Sequence, residues 1–304
     1  MKKLVVFLMG LFIVAAAMGK DYSQYHNSEA LVSPKKAKEI MESNKNVVVF
    51  DVRRSAEFML GHIPGAVDIW RNDISADNNE YPFGGMRATS EKMENVLGSY
   101  GIDSNTHILI YDAKADYDAA RLWWILDVYG HEKISLIDGG INGWKAAGLP
   151  LEVGFAKKKD KKVYSFSKKA NYSKLAHLND VKKAVGSKET VIIDTRSESE
   201  HLGTETKKGA FRPGRIPSET FIPWETAVHD ETDKTFKNIS ELKEIYAKQG
   251  ITSNSKVIAY CQSGVRSAHT TFVLTQLLGY KNVKNYDGSW IEWSYHKELP
   301  ADKS

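Results

Sequence analysis

One long stretch of this 304-residue chain occurs twice, and this duplication limits the folds that the chain can adopt. The segment "ILIYDAKADYDAARLWWILDVYGHEKISLIDGGINGW" at 108–144 returns as "VIAYCQSGVRSAHTTFVLTQLLGYKNVKNYDGSWIEW" at 257–293. An earlier segment, "VVVFDVRRSAEFMLGHIPGAV" at 47–67, returns in two parts, "VIIDTRSESEHL" at 191–202 and "GRIPSET" at 214–220. Because single cores rarely grow beyond roughly 250–300 residues, two copies of one unit predict two similar domains.

The spacing between matched residues shows where the two copies differ. The separation is 143 positions between Asp51 and Asp194, but it is 153 between Gly61 and Gly214. The second copy therefore carries an insertion, "GTETKKGAFR", between its first strand and its Ile-Pro turn. Aspartate and arginine follow the first strand in both copies, as Asp-x-Arg, and this symmetry favours a structural ion pair in each domain.

Each copy alternates short β-branched runs with longer segments of helical period, such as "ADYDAARLWWILDVYG" and "SAHTTFVLTQLLGY". This alternation predicts an α/β fold in which a mostly parallel sheet is flanked by helices. We place the first domain at 31–152, a linker at 153–173 and the second domain at 174–304. The linker is rich in lysine, which favours a solvated segment; attraction to a membrane surface or to an acidic partner is the alternative.

The first residues, "MKKLVVFLMGLFIVAAAMGK", begin with two lysines, continue as an apolar run and end with small residues. This layout predicts a secretory signal peptide at 1–19, cleaved near residues 17–19, and export to the periplasm. An uncleaved anchor is the alternative, but the run is shorter than the roughly 20 residues of a spanning helix. We therefore expect no stable membrane insertion after cleavage.

Charge and ligand spacing argue against several other classes of partner. The net charge is +4 and includes Lys2 and Lys3 of the predicted signal peptide, so the chain lacks the broad basic surface that nucleic acid binding needs. The nine histidines show no zinc spacing, and one cysteine cannot complete a thiolate cluster. We expect no nucleic acid partner, no metal and no cofactor.

Cys261 is the only cysteine, so it cannot form an internal disulfide. An inert thiol, an intermolecular bridge and a reactive sulfur remain open. Cys261 stands between a strand that ends at Tyr260 and a helix that Arg266 or Ser267 opens, and Gly264 permits a sharp turn of the loop. Inward-pointing amide N–H groups, the helix N-terminus and the Arg266 guanidinium would all favour the thiolate. The pattern predicts a nucleophilic cysteine in a cradle that also accommodates an anion on the sulfur.

The loop length bears on which anion the cradle would hold. Cysteine phosphatases need an arginine six positions after the cysteine, where this chain has Ser267, and Arg266 comes one residue earlier. The smaller ring suits one additional sulfur atom better than a phosphate group. Phosphatase-like chemistry is therefore the weaker alternative.

The motifs "DVRRSAEFMLGHIPGA" and "YDGSWIEW", together with "CQSGVR" followed by "SAHT", resemble those of tandem-domain rhodaneses. The resemblance is to the thiosulfate and 3-mercaptopyruvate sulfurtransferase type and covers residues 31–300. It implies two rhodanese-like domains and a persulfide on Cys261. A small anionic donor such as thiosulfate would form this persulfide, sulfite would leave, and cyanide or a thiol would accept the sulfur.

In this family catalysis belongs to the second copy. The first copy has Asp112 at the position of Cys261, and a carboxylate cannot carry sulfur, so the resemblance implies a structural role for the first domain. We also expect Asp112, Asp116 and Asp118 to repel anionic donors.

The resemblance implies that the donor lies in the cradle of the second copy, and Arg212 and Arg215 of "FRPGRIPS" are further candidate contacts. Surface or domain-interface ion pairs are the alternative role for these two arginines. The predicted substrate-binding residues are Gln262, Ser263, Gly264, Val265, Arg266, Arg212 and Arg215.

The chain departs from the family pattern at Glu200, where tandem members often have an arginine that helps to bind the donor. This reversal of charge predicts that mercaptopyruvate is a poor donor. Two alternatives to a thiosulfate sulfurtransferase stay open: a persulfide carrier without turnover on small molecules, and a mercaptopyruvate-specific sulfurtransferase.

Overall fold

The computed structural model describes residues 20–156, 160–229 and 234–303. The predicted signal peptide at 1–19 lies outside these ranges. Within them the chain forms two sheets of five parallel strands, in the orders β1-β5-β4-β2-β3 and β6-β10-β9-β7-β8. The predicted α/β fold, with a parallel sheet flanked by helices in each of two tandem domains, is confirmed.

The two domains use the same sequence of elements. The strands in the described residues are β1 (Leu31–Val32), β2 (Val47–Asp51), β3 (Val67–Asp68), β4 (His107–Tyr111), β5 (Ile134–Ile137), β6 (Leu175–Ala176), β7 (Thr190–Asp194), β8 (Thr220–Phe221), β9 (Lys256–Tyr260) and β10 (Val283–Tyr286). The α-helices there are α1 (Pro34–Ser43), α2 (Ser55–Leu60), α3 (Ser90–Ser99), α4 (Tyr117–Tyr129), α5 (Gly140–Ala146), α6 (Leu178–Ala184), α7 (Glu198–His201), α8 (Ile239–Ala247), α9 (Arg266–Phe272) and α10 (Ser289–Tyr295).

Local sequence signals explain where several helices begin and end. Ser33 and Thr89 precede α1 and α3, and each hydroxyl accepts a hydrogen bond from an amide N–H of the first turn. Gly130 ends α4 with a φ of 91°, a conformation that glycine adopts without steric cost. The predicted helix after Cys261 ends sooner than expected, because α9 gives way to a turn of π-helix at Val273–Leu277.

An Asp–Arg ion pair lies at the end of one central strand in each domain, β2 in the first and β7 in the second. Arg53 donates to both carboxylate oxygens of Asp51 and, at 2.7 Å, to the carbonyl of Gly61. In the second domain Arg196 donates to Asp194 and, at 3.0 Å, to the Gly214 carbonyl. Gly61 lies between β2 and β3, and Gly214 lies between β7 and β8. Each arginine therefore links the end of a strand to the segment that leads to the next strand. This is the structural role that the repeat predicted.

The linker between the domains is only partly solvated. The lysines at 161, 162, 168 and 169 are exposed, but Tyr164 is buried and its ring meets that of Phe166 edge-on, with centroids 5.1 Å apart. Phe166 also lies against Tyr129 of α4. These aromatic contacts fix part of the linker to the first domain. The structure contains, among its described residues, no helix that is both long and apolar enough to cross a bilayer.

The two domains meet through α4 and α9, and this contact decides what surrounds Cys261. Trp123 of α4 packs edge-on against Phe272 of α9, with ring centroids 4.9 Å apart. Two residues before Trp123, the Arg121 guanidinium donates to the Gly264 carbonyl in the loop after β9 and forms a 2.6 Å ion pair with Asp287. The first domain therefore supports the Cys261 loop directly.

Candidate active site

Cys261 follows the last residue of β9 and begins the tight loop that leads into α9. Gly264 adopts a φ of 72°, and a Cβ added there would come within 2.7 Å of the Asp287 carbonyl oxygen, so only glycine fits the turn. The Ser289 hydroxyl accepts hydrogen bonds from the amides of Cys261 and Gly264, at 3.1 and 2.9 Å. One side chain from the start of α10 thus holds both ends of the turn.

The surroundings of the sulfur favour the thiolate. Burial acts to raise the pKa of Cys261, but the charge of Arg266, the Ser267 hydroxyl and the amide N–H groups of Ser267 and Ser263 outweigh it. The pKa of Cys261 is therefore lowered below that of an ordinary thiol. The Ser267 hydroxyl lies 3.6 Å from Sγ. The predicted combination of inward amides and a nearby guanidinium is present in the loop.

The first domain shows what such a loop can bind. The Asp112 carboxylate occupies the position of the thiol and accepts hydrogen bonds from the amides of Lys114, Asp116, Asp118 and Ala119, at 2.6–3.2 Å. Burial and the charge of Asp118 nevertheless raise the pKa of Asp112 to about 6. The loop geometry is therefore an anion cradle, and in the first domain the chain fills it with its own side chain.

The two cradles correspond residue by residue. Asp112 and Cys261 are 149 positions apart, and the same separation relates Lys114 to Ser263 and Asp118 to Ser267. The amides of Ser263 and Ser267 are the two that lower the pKa of the thiol. The counterparts of two of the four amides that hold the carboxylate in the first domain thus act on Sγ in the second.

Arg266, the guanidinium beside the sulfur, also binds a carboxylate. Its two terminal nitrogens donate to the two carboxylate oxygens of Glu200, at 2.6 and 2.8 Å. Burial acts to raise the pKa of Glu200, but its hydrogen bond and ion pair with Arg266 lower it, so the carboxylate is charged. Glu200, the residue at which the chain departs from the family pattern, therefore compensates the charge of Arg266 beside the thiol.

Comparison with known proteins agrees with this geometry. The rhodanese-like domain family matches the chain twice, at residues 33–147 and 177–296. The chain is a tandem-domain member of the rhodanese family. This rhodanese is 34% identical over 277 residues to a protein of Mycolicibacterium smegmatis named "Putative thiosulfate sulfurtransferase", covering 88% of this chain and 95% of that one.

Two further likenesses extend the range of related proteins. The sulfur carrier protein TtuD of Thermus thermophilus is 32% identical over 314 residues, with 97% of this chain and 99% of that one covered. The anaerobic ergothioneine biosynthesis enzyme from Chlorobium limicola shares the fold, with a TM-score of 0.82 at 23% identity over 92% of this chain and 71% of that one. The chain therefore belongs to a sulfurtransferase family.

Cys261 of this rhodanese has no exposed surface, although the sequence suggested a thiol at the opening of its loop. The reason is the domain contact: Gly85 of the first domain lies so close to the loop that an added Cβ would come within 2.8 Å of the Ser263 Cβ. Arg121 covers the loop at Gly264. A donor can reach Sγ only when groups around the loop move aside.

The other two arginines predicted to bind the donor have partners elsewhere. Arg212 donates to the carbonyls of His296 and Leu299, at 3.2 and 2.7 Å, beyond the end of α10. Arg215 donates to the His201 carbonyl at 3.3 Å, and its Nε lies 3.5 Å from Glu219. The structure gives both guanidiniums the structural role that was the alternative, and donor binding by either stays a prediction.

The acidic residues of the first loop are all buried. Asp112 and Asp116 are 2% and 0% exposed, and amides surround Asp112. Asp118 is 5% exposed and forms a 2.6 Å ion pair with Arg71. Repulsion of anionic donors by these carboxylates stays a prediction.

Two residues that shape the site were not predicted from the sequence: Ser289 and Arg121. Ser289 was visible inside "YDGSWIEW", and its match with Gly140 at a separation of 149 could have marked the site where a hydroxyl is gained. Arg121 belongs to the first copy, and no pattern in the sequence indicates that it reaches the second domain.

One group of side chains has the composition of a metal site. Ligand atoms of Asp194, His201 and Glu219 all lie within 4.8 Å of one another. However, Oδ2 of Asp194 already accepts hydrogen bonds from both Arg196 and Tyr260, at 2.7 and 2.9 Å. With an arginine beside it, this group is better described as an ion-pair network than as a ligand set.

Proposed function

We propose that this rhodanese transfers sulfane sulfur from thiosulfate, or a similar donor, to a thiophilic acceptor such as cyanide or a thiol. The observation that carries the proposal is the placement of Cys261 Sγ in an amide cradle whose counterpart in the first domain binds a carboxylate. The family membership supports it independently. The second domain would carry out the chemistry, and the first would support it.

The reaction would proceed in two steps at one sulfur atom. The Cys261 thiolate attacks the outer sulfur of thiosulfate, a new S–S bond forms, and the old S–S bond breaks with its electron pair leaving on sulfite. The acceptor then attacks the outer sulfur of the persulfide, which restores the thiolate and leaves thiocyanate when the acceptor is cyanide. Charge is conserved in both steps.

The cradle would act in both steps by holding negative charge. The amides of Ser263 and Ser267 and the Ser267 hydroxyl stabilise the resting thiolate. After the first step the charge lies one atom further out, where the remaining loop amides and Arg266 would bind the persulfide anion. Such preorganised donors need no rearrangement as the charge moves.

Replacing Cys261 with serine tests the proposal. The variant should lose both thiosulfate–cyanide turnover and the 32-dalton mass increase that one added sulfur atom gives. Its unchanged thermal unfolding would show that the fold is intact. Full turnover in Cys261→Ser would refute the proposed role of the thiol.

A second candidate function is a persulfide carrier that delivers sulfur to a protein partner. Two observations favour it: the likeness to the sulfur carrier protein of Thermus thermophilus, and the complete burial of Cys261. Under this alternative the protein would gain 32 daltons on incubation with thiosulfate but turn over cyanide poorly. The two functions are separated by comparing the rate of steady-state thiosulfate–cyanide turnover with the rate at which Cys261 gains sulfur from thiosulfate in a single cycle.

We also propose that residues 1–19 direct export to the periplasm and are then removed. The two lysines, the apolar run and the small residues near 17–19 support this. Lys20 forms a 2.6 Å ion pair with the buried carboxylate of Asp138, so cleavage before Lys20 would keep a residue that the fold uses. N-terminal sequencing of protein from the periplasmic fraction tests the proposal, and an intact residue 1 in that protein would contradict it.

A further inference from the structure

The carbonyl group of Gly264, in the middle of the Cys261 loop, accepts hydrogen bonds from two buried side chains. The Asn285 amide of β10 donates to it at 3.0 Å, and the Arg121 guanidinium of the first domain donates to it at 3.2 Å. Asn285 is 0% exposed, and the side chain of Arg121 is 4% exposed. Because water has little access to either donor, these two residues fix the direction of the carbonyl.

The direction of this carbonyl decides where the next amide points. In a planar trans peptide the C=O and the N–H lie on opposite sides, so the Gly264 carbonyl and the Val265 N–H point in opposite directions. By the repeat, Val265 corresponds to Asp116, whose amide donates to the Asp112 carboxylate at 2.9 Å. We therefore expect the Val265 N–H to face the anion carried by Cys261 when the Gly264 carbonyl points towards its two donors.

Gly264 is also the residue at which this peptide can most easily turn over. Its φ is 72°, in the left-handed region, and a glycine allows a wide range of backbone rotation at low steric cost. If the peptide turned over, the carbonyl oxygen would replace the Val265 N–H beside Sγ and would repel a thiolate or a persulfide. A cradle built on a glycine turn therefore needs groups that hold this carbonyl outward.

The two donors are a feature of the loop that carries the thiol. At the separation of 149 positions that relates the copies, Asn285 corresponds to Leu136, and Arg121 corresponds to Thr270. Leucine has no side-chain donor, and threonine carries no charge. The loop of the first domain, which holds a carboxylate of its own chain, thus has different residues at both equivalent positions.

Arg121 is held in place by groups of both domains. Its Nη2 donates to the Gly85 carbonyl at 3.1 Å and lies 2.6 Å from the Asp287 carboxylate. Arg87 donates to the same carboxylate at 3.0 Å. Burial acts to raise the pKa of Asp287, but the charges of Arg121 and Arg87 lower it, so the carboxylate is charged. This buried ion pair fixes the guanidinium that reaches the loop.

We propose that Arg121 and Asn285 are positioning residues for sulfur transfer: together they hold the Gly264 carbonyl away from Sγ, so that the loop presents amide N–H groups to the sulfur. This inference rests on the proposed sulfurtransferase function. Both residues act through the loop, and neither needs to contact the donor. The first domain would thus supply, through Arg121, part of the reactivity of the thiol in the second.

The first test compares Arg121→Met with Arg87→Met. Both variants remove a partner of Asp287 at the domain contact, but only Arg121→Met also removes a donor to Gly264, so Arg87→Met is the matched control. The loss of a hydrogen bond from a charged group corresponds to roughly a ten- to hundredfold change. We expect kcat for thiosulfate–cyanide turnover to fall by that factor in Arg121→Met, with KM changed less than about threefold. Arg87→Met should keep kcat within about twofold of the wild type.

The pH profile of Cys261 alkylation by iodoacetamide provides a readout that a loss of stability alone would not move. Its midpoint should shift to higher pH in Arg121→Met, because the thiolate loses aligned N–H donors, and should stay in place in Arg87→Met. If Arg121→Met does not fold, the comparison is made between Asp287→Asn and the double variant Asp287→Asn with Arg121→Met. These two proteins share the loss of the carboxylate and differ only in the donor to the loop.

Asn285→Leu tests the second donor without changing the domain contact. It places the residue of the first copy at this position, and the loss of a neutral hydrogen bond corresponds to roughly a two- to tenfold decrease in kcat. The alkylation midpoint should again move to higher pH. Combined with Arg121→Met, it should lower kcat by more than the product of the two single effects, because each donor still holds the carbonyl when the other is absent.

The alkylation profile also separates this inference from the proposed function, since it requires no turnover. If the midpoint shifts in Arg121→Met and Asn285→Leu while the wild type shows no thiosulfate–cyanide turnover, the proposed function fails and the positioning role stands. If turnover depends on Cys261 but Arg121→Met matches Arg87→Met in kcat and in midpoint, the inference fails alone. Wild-type values of both quantities in Asn285→Leu would likewise overturn it.

Discussion

The Glu200 carboxylate binds the Arg266 guanidinium through two hydrogen bonds, of 2.6 and 2.8 Å, next to the catalytic thiol proposed here. Glu200 is 1% exposed, so water screens this pair poorly. The arginine that the cradle would offer to a donor is thus compensated in the resting protein. We expect the pair to set both the pKa of Cys261 and the preference for donors.

Replacing Glu200 with glutamine should strengthen the positive field at Sγ. The pKa of Cys261 should fall further, because Arg266 keeps its charge while the opposing carboxylate is gone. We expect a lower KM for thiosulfate and a larger gain for mercaptopyruvate, which we predict to be the poorest donor of the wild type. The pH dependence of alkylation by iodoacetamide, together with steady-state kinetics, measures both effects.

Glu57 offers a matched control for this substitution. It holds the position of Glu200 in the first domain, where it is exposed. Glu57→Gln should leave the alkylation profile and both KM values unchanged. If Glu200→Gln weakens the binding of thiosulfate, the pair serves to position Arg266 rather than to compensate it.

The Ser267 hydroxyl, which contacts Sγ, should lower the pH at which the Cys261 thiol becomes reactive. Ser267→Ala removes the group 3.6 Å from Sγ that lowers the pKa of Cys261. The midpoint of the alkylation profile should therefore move to higher pH. Ser263→Ala is the control, because Ser263 acts on the thiol through its amide, which the substitution keeps. Equal profiles for the two variants would exclude a role for the Ser267 hydroxyl.

The lowered pKa of Cys261 also makes stability depend on pH. The folded protein holds the thiolate down to a lower pH than the unfolded chain does. This stabilisation is present above the unfolded thiol's pKa and is lost as the pH falls through the folded pKa. Cys261→Ala should lack that dependence. Denaturant unfolding over the alkaline range, compared between the two proteins, measures it.

The carboxylate in the first cradle should support its domain. Asp112→Ala would leave four amide N–H groups without their acceptor, so we expect the free energy of unfolding to fall by at least about 2 kcal/mol. Lys114→Ala changes an exposed side chain of the same loop and should cost far less. A similar loss in both variants would mean that the loop, and not the carboxylate, is sensitive.

Acid pH gives an independent test of the same group. The pKa of Asp112 is about 6 in the folded protein, above that of an unfolded aspartate, so protonation favours the folded state. Its contribution to stability is present below the unfolded pKa and is lost as the pH rises through about 6. Asp112→Asn should flatten this part of the stability profile between about pH 4 and 6.

Features that are local or repeated could be predicted from the sequence, whereas contacts between the two domains could not. The duplicated strands, the Asp51–Arg53 type of ion pair and the cradle around Cys261 followed from short motifs. Arg121 did not, because its contact with the Cys261 loop depends on how the two domains pack. The burial of Cys261 was missed for the same reason: Gly85 and Arg121, which close the loop, come from the other copy.

The backbone conformation and the hydroxyl of Ser289 can be tested separately. Its φ is 51°, a region that costs non-glycine residues about 1 kcal/mol or more, and its counterpart in the first domain is Gly140, with a φ of 56°. The hydroxyl accepts from the amides of Cys261 and Gly264 and donates to the Tyr286 carbonyl. Ser289 is thus held in an unfavourable conformation for the sake of its oxygen.

Ser289→Ala should lose the hydroxyl and keep the strain, whereas Ser289→Gly should lose both. We expect Ser289→Ala to lower the free energy of unfolding by about 1–3 kcal/mol and Ser289→Gly to be more stable than Ser289→Ala by about 1 kcal/mol. Both should lower kcat, because the cradle amides lose their common acceptor. Denaturant unfolding and thiosulfate–cyanide turnover measure the two effects. If Ser289→Gly retained full turnover, the hydroxyl would have no part in holding the cradle.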